Sequence, residues 1–107
     1  MKFFVFSKPS CVQCTGTYAA LAKRNLKLDD GDYTVVDIST DQSALDFVKS
    51  YGHQQAPVVM ISDATLEELM DSNHPAEPVE HWSGYRPDAI NKAFEQFPEL
   101  LPEPVLA

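Results

Sequence analysis

The sequence predicts an α/β domain with element order β-α-β-α-β-β-α around a four-stranded mixed sheet, with an inserted segment between the third and fourth strands. Three observations carry this. A continuous apolar run, Phe3-Phe4-Val5-Phe6, stands at the start and a second such run, Val58-Val59-Met60-Ile61, lies mid-chain; both read as strands buried on two faces. Between and after them, apolar residues recur at helical spacing. A pair of cysteines, Cys11-Val12-Gln13-Cys14, falls where the first strand hands over to the first helix.

Taken in order, Phe3–Phe6 ends at Ser7-Lys8-Pro9, a turn signal. Ser10 and Gln13 have capping-box spacing, which makes Ser10 the N-cap, Cys11 the first helical residue and Cys14 the fourth. Tyr18, Leu21, Ala22 and Leu26 then mark a helical face that stops before Asp29-Asp30-Gly31. Gly16, near the start of that helix, costs about 1 kcal/mol of propensity; a small residue there lets backbone pack closely. Tyr33–Ile38 is rich in β-formers and is the second strand. Ser39-Thr40-Asp41 offers caps for a second helix with Ala44, Phe47, Val48 and Tyr51 inward and Gly52 as its stop. Pro57 precedes the third strand, a position where proline removes no interior ladder bond.

His81-Trp82-Ser83 is the fourth strand, turned by Gly84. Arg86-Pro87-Asp88 opens a third long helix with Ile90, Ala93, Phe94 and Phe97 on one face, Asp88 serving as its cap. The segment from Ser62 to Glu80 is the insertion: Thr65 and Glu68 have capping-box spacing, Ala64 and Leu69 can form a staple, and one or two turns carrying Leu66, Leu69 and Met70 end before Pro75 and Pro78. It reads as a surface insertion, with an acidic partner-contacting lobe the alternative. The domain is expected over residues 1–97, and Pro98, Pro102 and Pro104 make 98–107 a loose Pro-rich tail.

Composition narrows the function. With 107 residues and two cysteines the chain is one domain without a secreted disulfide framework. Asp and Glu number 16 against 8 Lys and Arg, a formal charge of −8, which argues against nucleic acid and anionic membrane partners. The apolar start is too short for an export signal, so a cytoplasmic location is expected.

The cysteines carry the chemistry. Residues three apart on a helix share a face, so the sulfurs can close a disulfide. Unpaired N–H groups and the dipole at a helix start favour a thiolate, lowering a cysteine pKa from about 8.5 to roughly 3.5–7.5. Cys11 is therefore the attacking sulfur and Cys14, one turn in, the resolving one. Such a CxxC before the first helix of a βαβ opening is a thioredoxin-like redox signature. Zinc held by Cys11, Cys14, His74 and His81 fails on histidine spacing, and no metal is expected. Lys8 is read as solubilising, Asp37 as solvated, and His53 has no evident role.

Lys8–Cys14, Val36-Asp37-Ile38-Ser39, Gln55-Ala56-Pro57-Val58-Val59 and Trp82-Ser83-Gly84-Tyr85-Arg86-Pro87-Asp88 together resemble the NrdH-type redoxins, from Lys2 to about Phe94. The resemblance implies a thioredoxin-like fold, Cys11 as nucleophile, Cys14 as resolver and a cis Ala56–Pro57 bond. It implies active-site loops made by Val12, Gln13, Ala56, Pro57, Trp82, Ser83, Gly84 and Arg86, with Trp82 bracing the loop that faces the cysteines and Arg86 anchoring its turn. It further implies a monomer that binds no cofactor. Its redox-active Cys11–Cys14 disulfide would draw on NADPH indirectly through thioredoxin reductase and pass electrons to the large subunit of class Ib ribonucleotide reductase. A glutathione-coupled glutaredoxin, a general protein disulfide reductase and a non-catalytic binding module are the alternatives. Bulky Tyr85-Arg86-Pro87 in place of a Gly-Gly turn, with proline removing a donor, disfavours glutathione.

Overall fold

A computed structural model describes residues 1–101. Its elements are β1 (Lys2–Ser7), α1 (Val12–Ala22), β2 (Tyr33–Asp37), α2 (Gln42–Ser50), β3 (Val58–Ser62), α3 (Leu66–Leu69), β4 (Glu80–Ser83), α4 (Pro87–Gln96) and a single 3-10 turn at Pro98–Leu100. The strands lie in the order β2-β1-β3-β4. β1 runs parallel to β2, with Val5 opposite Val35, and antiparallel to β3, with Val5 opposite Val59. β3 and β4 are antiparallel.

Strand alternation sorts the apolar runs into two cores, because successive side chains point to opposite faces. Phe3, Val5, Val59 and Ile61 meet Leu21 of α1 and Ile90, Ala93 and Phe94 of α4 on one side. Phe4, Phe6, Val58 and Met60 meet Ala44 and Val48 of α2 on the other. The central strands are thus apolar on both faces because helices cover both.

Helix boundaries depart from expectation in several places. α1 ends at Ala22, and Asn25 then adopts a left-handed φ of 64° while the Leu26 amide donates to the Leu21 carbonyl, a Schellman-type stop that asparagine tolerates. Leu26 therefore reaches the core from the capping turn, Ala22 is exposed, and Thr17 takes the inward place, its hydroxyl satisfied by the Gln13 carbonyl. Second, Asp88 does not cap α4: its carboxylate pairs with Arg86, whose backbone occupies the N-cap. Third, Phe97 ends α4 and leads into the 3-10 turn, which buries Leu100 in the first core. The start of the expected loose tail is therefore packed; residues 102–107, with Pro102 and Pro104, lie outside the described residues.

The insertion is also more integrated than a surface loop. Ser62 belongs to β3 and Glu80 to β4. The Thr65–Glu68 capping box forms in both directions, and Leu69 is fully buried in the second core, with Ala64, Leu66, Met70 and Ala76 packed against it. α2 covers only part of that face, and α3 covers more of it. Asp41 caps α2 as expected, accepting the Ala44 amide at 3.0 Å, and Gly52 follows it at φ 85°.

Candidate active site

The helix start differs in detail from the capping-box expectation. Ser10 sits at φ 55° outside the helix, and Cys11 is itself the N-cap. Its Sγ accepts the Cys14 amide at 3.1 Å, the role an oxygen plays in most caps. Gln13, freed from capping, turns its Oε1 to the backbone amide of Tyr85 at 2.9 Å. Cys11 and Cys14 are joined as a disulfide with Cα atoms 5.2 Å apart, within the range such a bond spans. Cys11 is partly exposed and Cys14 is 2% exposed. Only one of the two sulfurs is open to an incoming molecule.

Around them lies a shallow groove lined by Lys8, Ser10, Val12, Thr15 and Tyr18. Val12, between the cysteines, is 87% exposed.

The loop after β4 is tied to this turn. The Gly84 amide donates to the Pro57 carbonyl at 2.8 Å, and the Ala56–Pro57 bond is cis. Gly84 has φ 82°, which favours glycine, and a Cβ there would stand 2.9 Å from Gln13 Oε1 and 3.3 Å from Gln55 Nε2, so a side chain would push the Gln13 amide aside. Gly16 is explained by the same loop: a Cβ on it would lie 3.3 Å from the Tyr85 ring. From the sequence Tyr85 reads only as bulk that disfavours glutathione, not as one of the active-site loop residues. The helix-weakening Gly16, which only an overlying group explains, was the signal for it.

Of the expected loop residues, Val12, Gln13, Pro57 and Gly84 come together at the cysteine turn, directly or through Gly84, with Ala56 buried at the cis bond and Ser83 opposite Val58 in the ladder. Trp82 and Arg86 do not line the cysteine groove. Trp82 is core, packed with Phe3, Val59 and Phe94 because the strand's alternation turns it under α4; its Nε1 is buried with no hydrogen-bond partner among the described residues. Arg86 does anchor its turn, through the Asp88 carboxylate, which that pairing holds below the usual range. Asp37 is likewise lowered by donors from Ser39, its hydroxyl first and then its amide, and so is ill suited to carry protons at neutral pH. His53 has a partner after all, its Nε2 lying 2.8 Å from Nδ1 of His81. Among the described residues no cluster of three or more His, Cys, Asp or Glu is placed to hold a metal, and no helix is long and apolar enough to cross a membrane.

A family model described as glutaredoxin matches residues 3–65. The chain belongs to the glutaredoxin family. Within this family it is similar to the glutaredoxin-like protein NrdH of Salmonella typhimurium, at 28% identity over 92 residues, covering 86% of this chain and 88% of that protein. The Escherichia coli protein of the same name is 26% identical over the same shares. The solved NrdH-redoxin from Escherichia coli, a glutaredoxin-like protein described as having a thioredoxin-like activity profile, matches with a TM-score of 0.63 at 25% identity, covering 97% of this chain and all of that one. A Malassezia sympodialis thioredoxin shares the fold alone, with a TM-score of 0.55 at 16% identity over 89% of this chain and 74% of its own. This glutaredoxin-family chain is thus a thiol-disulfide oxidoreductase of NrdH-like type on a thioredoxin-like fold.

Proposed function

We propose that this redoxin is a cytoplasmic dithiol electron donor, reduced by thioredoxin reductase and serving class Ib ribonucleotide reductase through its large subunit. The observation that carries the reading is the asymmetry of the pair: Cys11 is accessible at the helix cap and receives the Cys14 amide, while Cys14 is buried. In the reduced protein the Cys11 thiolate attacks one sulfur of the target disulfide. A mixed disulfide forms, and the target's second sulfur leaves as a thiolate that takes up a proton. Cys14 then gives up its proton and attacks Cys11 Sγ, releasing the first target sulfur as a thiolate. Two electrons have passed to the target, and Cys11–Cys14 is oxidised. NADPH, through the flavoprotein reductase, restores the dithiol; the redoxin itself needs no bound cofactor.

Reduction through thioredoxin reductase rather than glutathione is favoured by Tyr85, whose ring occupies the space over Gly16, and by Pro87, which offers no amide. The test is a reductant exchange. NADPH with thioredoxin reductase is expected to regenerate the oxidised protein and to sustain ribonucleotide reduction by a class Ib enzyme, with Cys11→Ser abolishing both. Regeneration by glutathione and glutathione reductase alone would overturn the reading in favour of a glutathione-coupled glutaredoxin.

A further inference from the structure

β4 is an edge strand: in the order β2-β1-β3-β4 it pairs with β3 alone. Antiparallel ladders alternate bonded and unbonded pairs. The Gly84 amide bonds to the Pro57 carbonyl, one step beyond the Ser83–Val58 pair, so the backbone groups of His81 and Ser83 face outward, away from β3. The outward His81 amide meets only the neighbouring Glu80 carboxylate, at 3.3 Å. Among the described residues no backbone group from outside the ladder reaches those of Ser83.

Alongside this edge lies a cavity of about 250 Å³ whose wall includes Trp82 of β4 and Ala89, Lys92, Ala93 and Gln96 of α4. It shares no residue with the disulfide groove. Trp82 is 6% exposed, and its Nε1 is buried without a partner among the described residues, whereas a buried indole N–H ordinarily has one. Arg86 and Asp88, also in the wall, neutralise each other in their ion pair. Glu80 turns to the His81 amide. Lys92 is left as a wall cation with no ion pair among the described residues.

We propose that the β4 edge and this cavity form a docking site for an extended segment of a partner protein. The segment adds antiparallel to β4 and carries a carboxylate side chain at the position opposite Trp82. Directly opposed residues share a face, so that side chain enters the cavity while its two neighbours exchange backbone bonds with His81 and Ser83. The carboxylate supplies what the wall lacks, an acceptor for the indole N–H and a negative charge for Lys92. The disulfide groove stays open meanwhile, so a partner can be held here while the cysteines exchange.

Trp82 is the single tryptophan of the chain, and its emission therefore reports on this site directly. The test titrates the full-length protein with a capped pentapeptide, Thr-Val-Glu-Val-Thr, and with versions carrying Gln, Val or Lys at the centre. A saturable change in emission is expected for the Glu peptide. Gln should bind roughly threefold more weakly, for the lost charge. Val should lose about a further fivefold, for the lost acceptor, and Lys should bind no better than Val. Amide NMR spectra should show the Trp82 indole and the His81 and Ser83 amides moving together. Proline in place of either valine, which cannot donate to the ladder, is expected to abolish binding. Lys92→Gln should erase the advantage of Glu over Gln and leave disulfide reduction unchanged.

Unchanged emission and unmoved His81 and Ser83 amides, or one affinity for every central residue, would overturn the proposal and leave the redox reading intact. Proline peptides that bind as well as the parent would show a side-chain pocket without strand addition. Sodium acetate reproducing the indole shift, with the peptides adding nothing, would overturn it in favour of a small carboxylate. Protection of the His81 and Ser83 amides that rises with protein concentration, without peptide, would assign the edge to a second copy of the chain instead.

Discussion

Gln13 and Tyr85, 72 positions apart, are joined by a 2.9 Å hydrogen bond from the Tyr85 amide to the Gln13 side chain. Through it the residue inside the CxxC turn holds the loop that follows β4, and the Tyr85 ring closes over Gly16 of the same helix. The redox turn and the far loop are thereby one assembly, with Gly84 at its tightest point.

Gly84→Ala is expected to destabilise the protein by about 1–3 kcal/mol. A left-handed φ costs a non-glycine residue roughly 1–2 kcal/mol, and the added methyl displaces Gln13 Oε1, freeing the Tyr85 amide. Urea denaturation gives the first quantity, and accelerated exchange of the Tyr85 amide proton reports the second. A variant as stable as the parent would contradict the packing described here.

Cys11 of the reduced protein is expected to react with iodoacetamide along a pH profile whose midpoint lies below the roughly 8.5 of free cysteine. The cause is the Cys14 amide aimed at its sulfur from the first turn of α1. Cys14, buried, is expected to alkylate far more slowly. A midpoint at or above the free value would refute the cap arrangement.

Leu69→Ala is expected to cost about 2–5 kcal/mol, the range for truncating a fully buried leucine, since Leu69 has no exposed surface within the second core. Chemical denaturation decides it. A loss under about 0.5 kcal/mol would return the inserted segment to the status of a surface decoration.

His53 is expected to titrate below its ordinary value near 6.5, because burial and then the neighbouring His81 disfavour its charged form. Its folded form binds protons less readily than the unfolded chain. The stabilising contribution is therefore complete above pH 6.5 and is lost as pH falls through the lowered folded value. Proton NMR of the His53 ring measures the midpoint directly, and His81→Phe is expected to raise it. A His53 midpoint at or above 6.5 would contradict the pairing.

Much of this was legible in the residues. The sheet strands, the Asp41 cap, the Thr65–Glu68 box and the place of the cysteines follow from local patterns, because each is settled by neighbours within a few positions. What escaped was decided across the fold. Gln13 has an alternative partner 72 residues away, and that contact outcompetes a cap three residues back. Asp88 prefers the Arg86 guanidinium to the helix amides. The staple spacing marks Leu69 as an apolar contact of Ala64 but not its depth, because a four-residue helix has too few turns to display a face. Trp82 points to the core rather than the cysteines because its strand's register with Val59 orients it so.

The division of the interior by the sheet has a consequence for change over time. The redox helix and α4 rest on one slab of packed side chains, α2 and the inserted turn on the other, and only the backbone ladder separates them. Substitutions distant from one another and without shared partners combine nearly independently. The far slab can therefore be remodelled, lengthened or recharged while the sulfurs keep their setting, which leaves room for a lineage to vary that side without rebuilding its chemistry.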